Sequence, residues 1–339
     1  MKLKELADAL GLSQTTVSRA LNGYPEVSEA TRRRVHEAAS RLNYRANPSA
    51  RRLATGRAGA VGVVLPSNRH LLLDPHYVEF LAGLGERLVE DEIDIVLSPV
   101  RASDELASYR RIAAGKRIDA LIVSNPLVAD ERVALLADLG LPFVLHGRTG
   151  SPTPHAWLDV DNHGGFRRAT THLLELGHTR IALINGATRF TYASDRERGY
   201  RDALAAHGVA ADERLMAEGP MTDEVGYRVT ERFLAERPRP TALLVSSMMS
   251  ALGAFRATRA AGLELGRDIS MIAHDDVFPF LNAEGMVPPM ATTRSSIRAA
   301  GTRVAELAIE LLAGRPAEEI HELWPVDFVV RSSVGPPPA

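Results

Sequence analysis

The sequence predicts an all-α helix-turn-helix head followed by an α/β core with two lobes, each built on a doubly wound parallel sheet. In the first 45 residues, apolar side chains recur at helical spacing between turn signals. From residue 60 onward, continuous apolar runs typical of buried strands alternate with helical patterns. The length of 339 residues exceeds what one hydrophobic core usually serves, which also favours several domains.

The charge of the chain is distributed unevenly. The net charge is −2, but residues 1–60 carry 11 Lys and Arg against 5 Asp and Glu, whereas the remainder carries 29 against 37. A basic head on an acidic body indicates that the head has a polyanionic partner. The sequence contains no cysteine, which excludes disulfides, thiolate zinc sites and cysteine nucleophiles.

Three short helices are predicted in the head. Gly11 ends the first, Ser13 is placed to cap a second helix over residues 14–21, and Ser28 is placed to cap a third. A tight turn containing Gly between the first two helices is typical of a helix-turn-helix module, whose second helix enters the major groove of DNA. The residues predicted to face inward are Val17, Leu21, Val35, Ala38, Ala39 and Leu42.

The polar face of the second helix carries side chains that suit base edges. Gln can pair with adenine and Arg with guanine, because their forked hydrogen-bonding groups match those edges. The alternative is a small helical bundle whose polar face is simply solvated. The face consists of Gln14, Thr15, Ser18, Arg19 and Asn22.

Three sequence motifs help to decide between these two interpretations: LADALGLSQTTVSRALN at 6–22, VSEATRRRV at 27–35 and LNYRAN at 42–47. Together they closely resemble the LacI/GalR family of transcriptional regulators, and the resemblance extends over residues 2–57. It implies that the side chains that contact base edges are Gln14, Thr15 and Arg19. It also implies a set that contacts phosphates or braces the module, namely Thr16, Ser18, Asn22 and Tyr44.

A second basic element follows the head. Pro48 suits the first position of a helix and Gly56 suits its end, but so short a helix is marginal in water, which leaves a flexible linker as the alternative. The resemblance implies a hinge helix that orders on operator DNA, with Leu53 wedged into the minor groove and Ala50 facing the partner hinge. Asn47 is assigned to the same DNA-binding segment. The predicted domains are 1–45 (head), 46–58 (hinge) and 59–339 (two-lobed effector-binding and dimerisation core).

The core shows strands and helices in alternation. Ligands of such folds bind beyond the carboxyl ends of the strands, which here predicts a cleft between the lobes. The predicted strands are 60–65, 93–97, 118–123, 143–145, 181–184, 241–245 and 269–273. The predicted helices are one after Pro75, those at 103–115, 130–139, 164–176 and 195–207, and one that ends near Gly262.

No catalytic signature is found. The chain has neither a Gly-rich dinucleotide fingerprint nor a P-loop. The word DVDNHG at 159–164 resembles a calcium loop, but its twelfth position is Thr170 instead of Glu. His274, Asp275 and Asp276 are adjacent at a strand end with no further cluster, so they are interpreted as polar groups that line the cleft. We therefore expect no enzyme activity, no catalytic residue, no metal and no cofactor other than a small-molecule effector.

The core also resembles the sugar-sensing core of the same family, which is similar to periplasmic sugar-binding proteins. The words are VDNHGG at 160–165, HLLELGHTRIA at 172–182 and RERGY at 196–200. The resemblance implies that Arg196 and Asp275 hydrogen-bond the effector. Arg196 could instead form a surface ion pair with its acidic neighbours, and Asp275 could cap a loop. His76 and Tyr77 match an aromatic pair that packs on effectors, with core packing as the alternative.

The cleft departs from the family pattern at several positions. Gly147 stands where an Asp is typical, between His146 and Arg148, and Ser247-Met248 replaces Asn-Asp. Met221 stands where some members carry a stacking aromatic residue. Short hydroxyl side chains and a Met leave more room in the cleft than carboxylates and Trp would, which favours an effector the size of a disaccharide. The words HDDVFPF at 274–280 and TTRSSIR at 292–298 resemble regulators of α-glucoside utilisation. The positions assigned to the effector in this region are His146, Met221 and Ser247.

These features together predict a cytoplasmic repressor of carbohydrate-utilisation genes. No signal peptide or membrane-length apolar run is visible, and the C-terminal segment lacks the leucine heptads of a tetramerising coiled coil. We therefore expect a homodimer on near-palindromic double-stranded operator DNA, controlled by a small sugar and without contact to a membrane. A transport component would carry an export signal in place of the head. The remaining alternative is a family member that senses a purine or a partner protein and acts as a corepressor.

Overall fold

The computed structural model describes residues 3–44, 56–66, 75–274, 278 and 281–338. The chain divides into two compact units. The first contains residues 1–59 together with 116–119, and the second contains 60–115 and 120–339. Four of the predicted site residues lie outside the described residues, namely Asn47, Ala50, Leu53 and Asp275.

The first unit contains the three predicted helices. Their bounds are α1 Leu3–Leu10, α2 Gln14–Leu21 and α3 Glu29–Arg41. Ser13 and Ser28 cap α2 and α3 as predicted, by accepting the backbone N–H groups of Thr16 and Thr31 at 3.0 and 3.3 Å. The buried residues are Leu6, Ala7, Leu10, Val17, Ala20, Val27, Val35, Ala38 and Ala39, with Leu21 half-buried beside them.

The prediction that Leu42 is buried is wrong. Leu42 is the C-cap of α3 and is 38% exposed. The next residue, Asn43, has a φ of +50°, which turns the chain away from the helix axis and ends the buried stripe at Ala39.

The first lobe of the second unit is a six-stranded sheet in the order β11-β5-β4-β3-β1-β2, and all its strand pairs are parallel. The strands are β1 Ala60–Pro66, β2 Asp94–Val100, β3 Ala120–Ser124, β4 Phe143–His146, β5 Ala156–Val160 and β11 His321–Trp324. The helices connected to it are α4 Pro75–Leu88, α5 Glu105–Gly115, α6 Glu131–Asp138 and α11 Ile297–Leu312.

The second lobe is a six-stranded sheet in the order β12-β10-β9-β8-β6-β7, in which only the β10–β12 pair of the described strands is antiparallel. The strands are β6 Ile181–Asn185, β7 Met216–Glu218, β8 Ala242–Val245, β9 Ser270–His274, β10 Ala291–Arg294 and β12 Asp327–Val329. Its helices are α7 Asn162–Glu175, α8 Thr191–Ala206, α9 Asp223–Ala235 and α10 Met248–Ala260.

The two predicted doubly wound sheets are present, but the lobes are not consecutive blocks of sequence. Within the described residues, the chain passes between the lobes at 160–162, 294–297 and 324–327. After completing β10, it returns through α11, which packs against α4 of the first lobe. The strands and α-helices that were not predicted from the sequence are β5, β7, α9, β10, α11, β11 and β12.

Each lobe has its own apolar core. Phe80, Leu84 and Val304 are at most 1% exposed between the first sheet and its helices, and Phe233 and Met248 are fully buried in the second lobe. No helix in the described part of the chain is both long enough and apolar enough to cross a membrane.

Candidate functional site

The exposed face of α2 is the candidate DNA-reading surface. Gln14, Thr15 and Arg19 are exposed, while Val17 and Ala20 on the opposite side of the helix are fully buried. The buried side fixes the rotation of α2 about its axis, so the three polar side chains project together. This arrangement is the one expected of a helix that reads base edges.

The four residues assigned to phosphate contacts or bracing are half-buried. Thr16 hydrogen-bonds the hydroxyl of Ser13 at 2.8 Å, and Asn22 Nδ2 donates to the carbonyl oxygen of Ser18 at 2.8 Å. Tyr44 packs against the helical core, and burial raises the pKa of its phenol. The division between exposed and half-buried residues agrees with the two roles that the resemblance implies, while the roles themselves stay predictions.

Arg196, on α8 of the second lobe, is buried and braced. Its side chain is 5% exposed, so the alternative of a surface ion pair is wrong. Nε donates to Asn162 Oδ1 and Nη1 donates to the carbonyl oxygen of Ser246, both at 2.8 Å. The guanidinium carbon lies 5.2 Å from the ring centroid of Phe166 and 5.0 Å from that of Tyr192. The contacts hold the planar guanidinium in one orientation.

Asn162 and Ser246, which brace Arg196, were not predicted as site residues. Asn162 is the first residue of α7, and its amide also donates to the carbonyl oxygen of Val160 at 3.2 Å. The hydroxyl of Ser246 donates to Asn185 Oδ1 at 2.7 Å, just beyond the carboxyl end of β8. Both partners thus lie just beyond strand ends, Asn162 after β5 of the first lobe and Ser246 after β8 of the second. The calcium-loop word that contains Asn162 is a helix start, because Asp161 Oδ1 accepts the N–H of Gly164 at 2.8 Å.

The predicted effector contacts of the first lobe, His76, Tyr77 and His146, lie among aromatic rings. The imidazole of His146 stacks on Phe80 with centroids 4.5 Å apart, and His76 meets Phe278 of the second lobe edge-to-face at 6.4 Å. Tyr77 is 6% exposed within the first-lobe core, and burial raises its pKa. Its hydroxyl is buried with no hydrogen-bond partner among the described residues.

A charged group joins the lobes beside Arg196. Arg148, just after β4, lies with Nε 3.0 Å from Asp159 Oδ2 and with Nη2 3.9 Å from Asp195 Oδ2 of α8. Burial raises the pKa of Asp159 to about 6, and the Arg148 charge opposes that rise. The carboxylate of Asp195, which the sequence suggested as an ion partner of Arg196, lies 2.8 Å from Arg198.

Two departures from the expected pattern, Gly147 and Ser247, have local structural reasons. Gly147 has a φ of +106°, and a Cβ there would lie 2.6 Å from Pro126 Cγ, which disfavours a side chain at this position. Ser247 caps α10 by accepting the N–H of Ser250 at 3.1 Å. Met221 is half-buried just before Thr222, the residue that caps α9.

Two family models match the chain. The model of bacterial regulatory proteins of the lacI family matches residues 2–47, and that of the periplasmic binding protein-like domain matches residues 170–334. The chain is 48% identical to the HTH-type transcriptional regulator AglR of Rhizobium meliloti (strain 1021), over 100% of this chain and 95% of that protein. It is 33% identical to the HTH-type transcriptional regulator RafR of Escherichia coli, over 99% of each.

Solved structures resemble the whole chain. The lac repressor dimer bound to operator and the anti-inducer ONPF superposes with a TM-score of 0.83 at 27% identity, over 99% of both chains. The complex of the transcriptional regulator CelR with cellobiose has a TM-score of 0.74 at 31% identity, and the match covers 98% of this chain and 99% of CelR.

Proposed function

Because this chain belongs to the LacI family of bacterial regulatory proteins, we propose that it represses carbohydrate-utilisation genes and leaves its operator when a small sugar fills the interlobe cleft. Its relatives are transcriptional regulators, and this function involves no catalytic step. The regulator acts in the cytoplasm, where its operator lies, and requires no cofactor besides the effector.

The head supports the DNA-binding half of the proposal. Gln14 and Arg19 project from a helix whose rotation is fixed by the buried Val17 and Ala20. The likeness to the lac repressor dimer on operator extends over nearly the whole chain, which supports binding as a homodimer to a near-palindromic site.

The main support for effector binding is the braced guanidinium of Arg196. The guanidinium is held in one orientation by Asn162 and Ser246. Binding an acceptor oxygen of the effector therefore costs little side-chain conformational entropy. Tyr192 stacks with Phe190 at 5.8 Å beside it, and aromatic faces suit the apolar C–H face of a sugar ring. The likeness to CelR with cellobiose supports a disaccharide, and the α-glucoside words of the sequence make an α-linked one our first candidate.

The mechanism is linkage between two ligands. Sugar and operator favour different arrangements of the lobes, so each weakens the binding of the other by the same factor. A shift from mostly bound to mostly released operator needs several kcal/mol of differential affinity, which a buried, charge-assisted site can supply.

A melting screen tests the proposal. Binding to the native state raises the melting temperature by mass action, so maltose, sucrose and cellobiose are compared with guanine and hypoxanthine on the full chain. We expect a disaccharide to raise the melting temperature and to release a bound operator duplex. A shift with a nucleobase alone would overturn the sugar assignment, and a sugar that tightens operator binding would make the protein a corepressor-dependent regulator.

A further inference from the structure

One carboxylate holds the peptide that leads from the head into the core. Asp119 Oδ1 accepts the backbone N–H of Ala58 at 2.6 Å, and Oδ2 accepts that of Gly59 at 2.7 Å. Gly59 has a φ of +68°, and left-handed backbone of this kind can direct consecutive N–H groups to one side. Both oxygens of the carboxylate are therefore engaged, in charge-assisted bonds that are stronger than neutral ones.

Asp119 itself is firmly placed. It stands between Ile118, which is 6% exposed, and Ala120, the fully buried first residue of β3. β3 lies inside the first-lobe sheet, between β1 and β4. Asp119 thus stands directly before a buried strand inside the sheet, whereas Ala58 and Gly59 belong to a short link without helix or strand.

The other end of β3 meets the second lobe. The strand ends at Ser124, and the following residues hydrogen-bond across the lobes: Val128 N–H donates to the carbonyl oxygen of Arg189, and Thr191 N–H donates to that of Pro126, both at 3.0 Å. Five residues of strand span roughly 17 Å. At one end, β3 is preceded by Asp119, which hydrogen-bonds the linker. At its other end, β3 is followed by the residues that hydrogen-bond the second lobe.

We propose that Asp119 is a positioning residue for operator binding, which ties the exit of the DNA-binding segment to β3 and passes movement of that strand to the linker. The inference rests on the proposed function. Coupling between two sites requires an element whose arrangement both sites bias, and β3 with its two hydrogen-bonded ends meets this requirement. Without the tie, the linker gains conformational freedom that each operator-binding event must remove.

The test uses full-length protein and duplexes that the wild type selects from a random pool. We expect Asp119→Ala to weaken binding of a selected duplex by on the order of 10-fold, since two charge-assisted bonds to partly solvated amides are lost. Binding of a random duplex is unchanged. The sugar used is the disaccharide that raises the melting temperature of the wild type most. We expect this sugar to release less of the selected duplex from Asp119→Ala than from the wild type. The affinity of the variant for the sugar itself should be unchanged. Asp119→Asn, which keeps one acceptor oxygen, gives an intermediate effect.

The matched control is Asp138→Ala, which removes an exposed carboxylate from α6 of the first lobe and is expected to match the wild type. An Asp119→Ala protein that binds the selected duplex as tightly as the wild type would overturn the inference. Equal weakening on selected and random duplexes would also overturn it, since that indicates a general electrostatic effect. Failure of the wild type to select any duplex would instead overturn the proposed function.

Discussion

Leu127 of the first lobe and Phe190 of the second face each other in a short antiparallel pairing across the cleft rim. The hydrogen bonds from Val128 to Arg189 and from Thr191 to Pro126 flank this pair on both sides. A pair placed between such bonds is of the close kind, with Cα atoms about 4.5 Å apart. The lobes are thus joined by backbone at the rim as well as by the three chain crossings.

This geometry predicts that a disulfide engineered between the two positions would hold the lobes together at the rim. Substituting Leu127→Cys and Phe190→Cys together should give a disulfide, because the expected Cα separation lies within the range that disulfides span. The natural sequence contains no cysteine, so no other thiol competes. In the oxidised protein we expect sugar association to slow at least 10-fold, and reduction should restore it. Thiol titration and stopped-flow binding provide the measurement.

The single variants Leu127→Cys and Phe190→Cys control for loss of the two side chains. They should show no change in rate on addition of oxidant. If the fully oxidised double variant takes up sugar at the rate of its reduced form, the rim pairing does not gate the cleft.

Arg196→Lys separates charge from geometry. Lysine keeps the positive charge but lacks the planar fork that reaches Asn162 and Ser246 together. We expect sugar affinity to fall by roughly 100-fold, about 3 kcal/mol, while the protein still binds operator but no longer responds to sugar. Calorimetry and operator titration measure the two effects.

Arg198→Lys on the same helix is the matched control, because Arg198 is exposed and pairs only with Asp195 among the described side chains. It should retain wild-type sugar affinity. An Arg196→Lys protein that responds normally would remove Arg196 from the effector site.

The sequence predicted local structure better than long-range placement. The bounds of α2 and the caps Ser13 and Ser28 followed from residues within one helical turn. The placement of α11 on the first lobe could not be predicted, because its packing partner α4 lies more than 200 residues earlier in the chain, and a contact between such distant segments leaves no periodic pattern in the sequence. Arg196 was found through a family word, whereas the Arg148–Asp159 pair depends on two strand ends that meet only in the folded chain.

Arg19→Ala tests direct readout by α2. A bidentate contact between Arg and guanine contributes roughly 1–3 kcal/mol of discrimination at one base pair. We therefore expect the variant to tolerate substitutions at one position of each half-site, while preferences elsewhere remain. Binding is measured on a panel of duplexes with single substitutions at constant salt. Uniform weakening across the panel, with a smaller salt dependence, would reassign Arg19 to a phosphate contact.

Asp159 predicts a specific pH dependence of stability. Burial raises its pKa to about 6, whereas an Asp in an unfolded chain titrates near 3.9. Between about pH 4 and 6 the folded protein therefore holds this proton more tightly than the unfolded chain. The stability contributed by this group is fully present below about pH 4, falls as pH rises to about 6, and is constant above it.

Asp159→Asn removes this titration and should flatten that part of the stability profile. The difference in unfolding free energy between variant and wild type should rise between pH 4 and 7, by roughly 3 kcal/mol at most for a shift of about two pKa units. Urea unfolding at a series of pH values measures it. Asp138→Asn, an exposed carboxylate of the same lobe, should leave the wild-type slope in place. A parallel displacement of the Asp159→Asn curve, with the slope unchanged, would show that Arg148 keeps Asp159 ionised throughout this range.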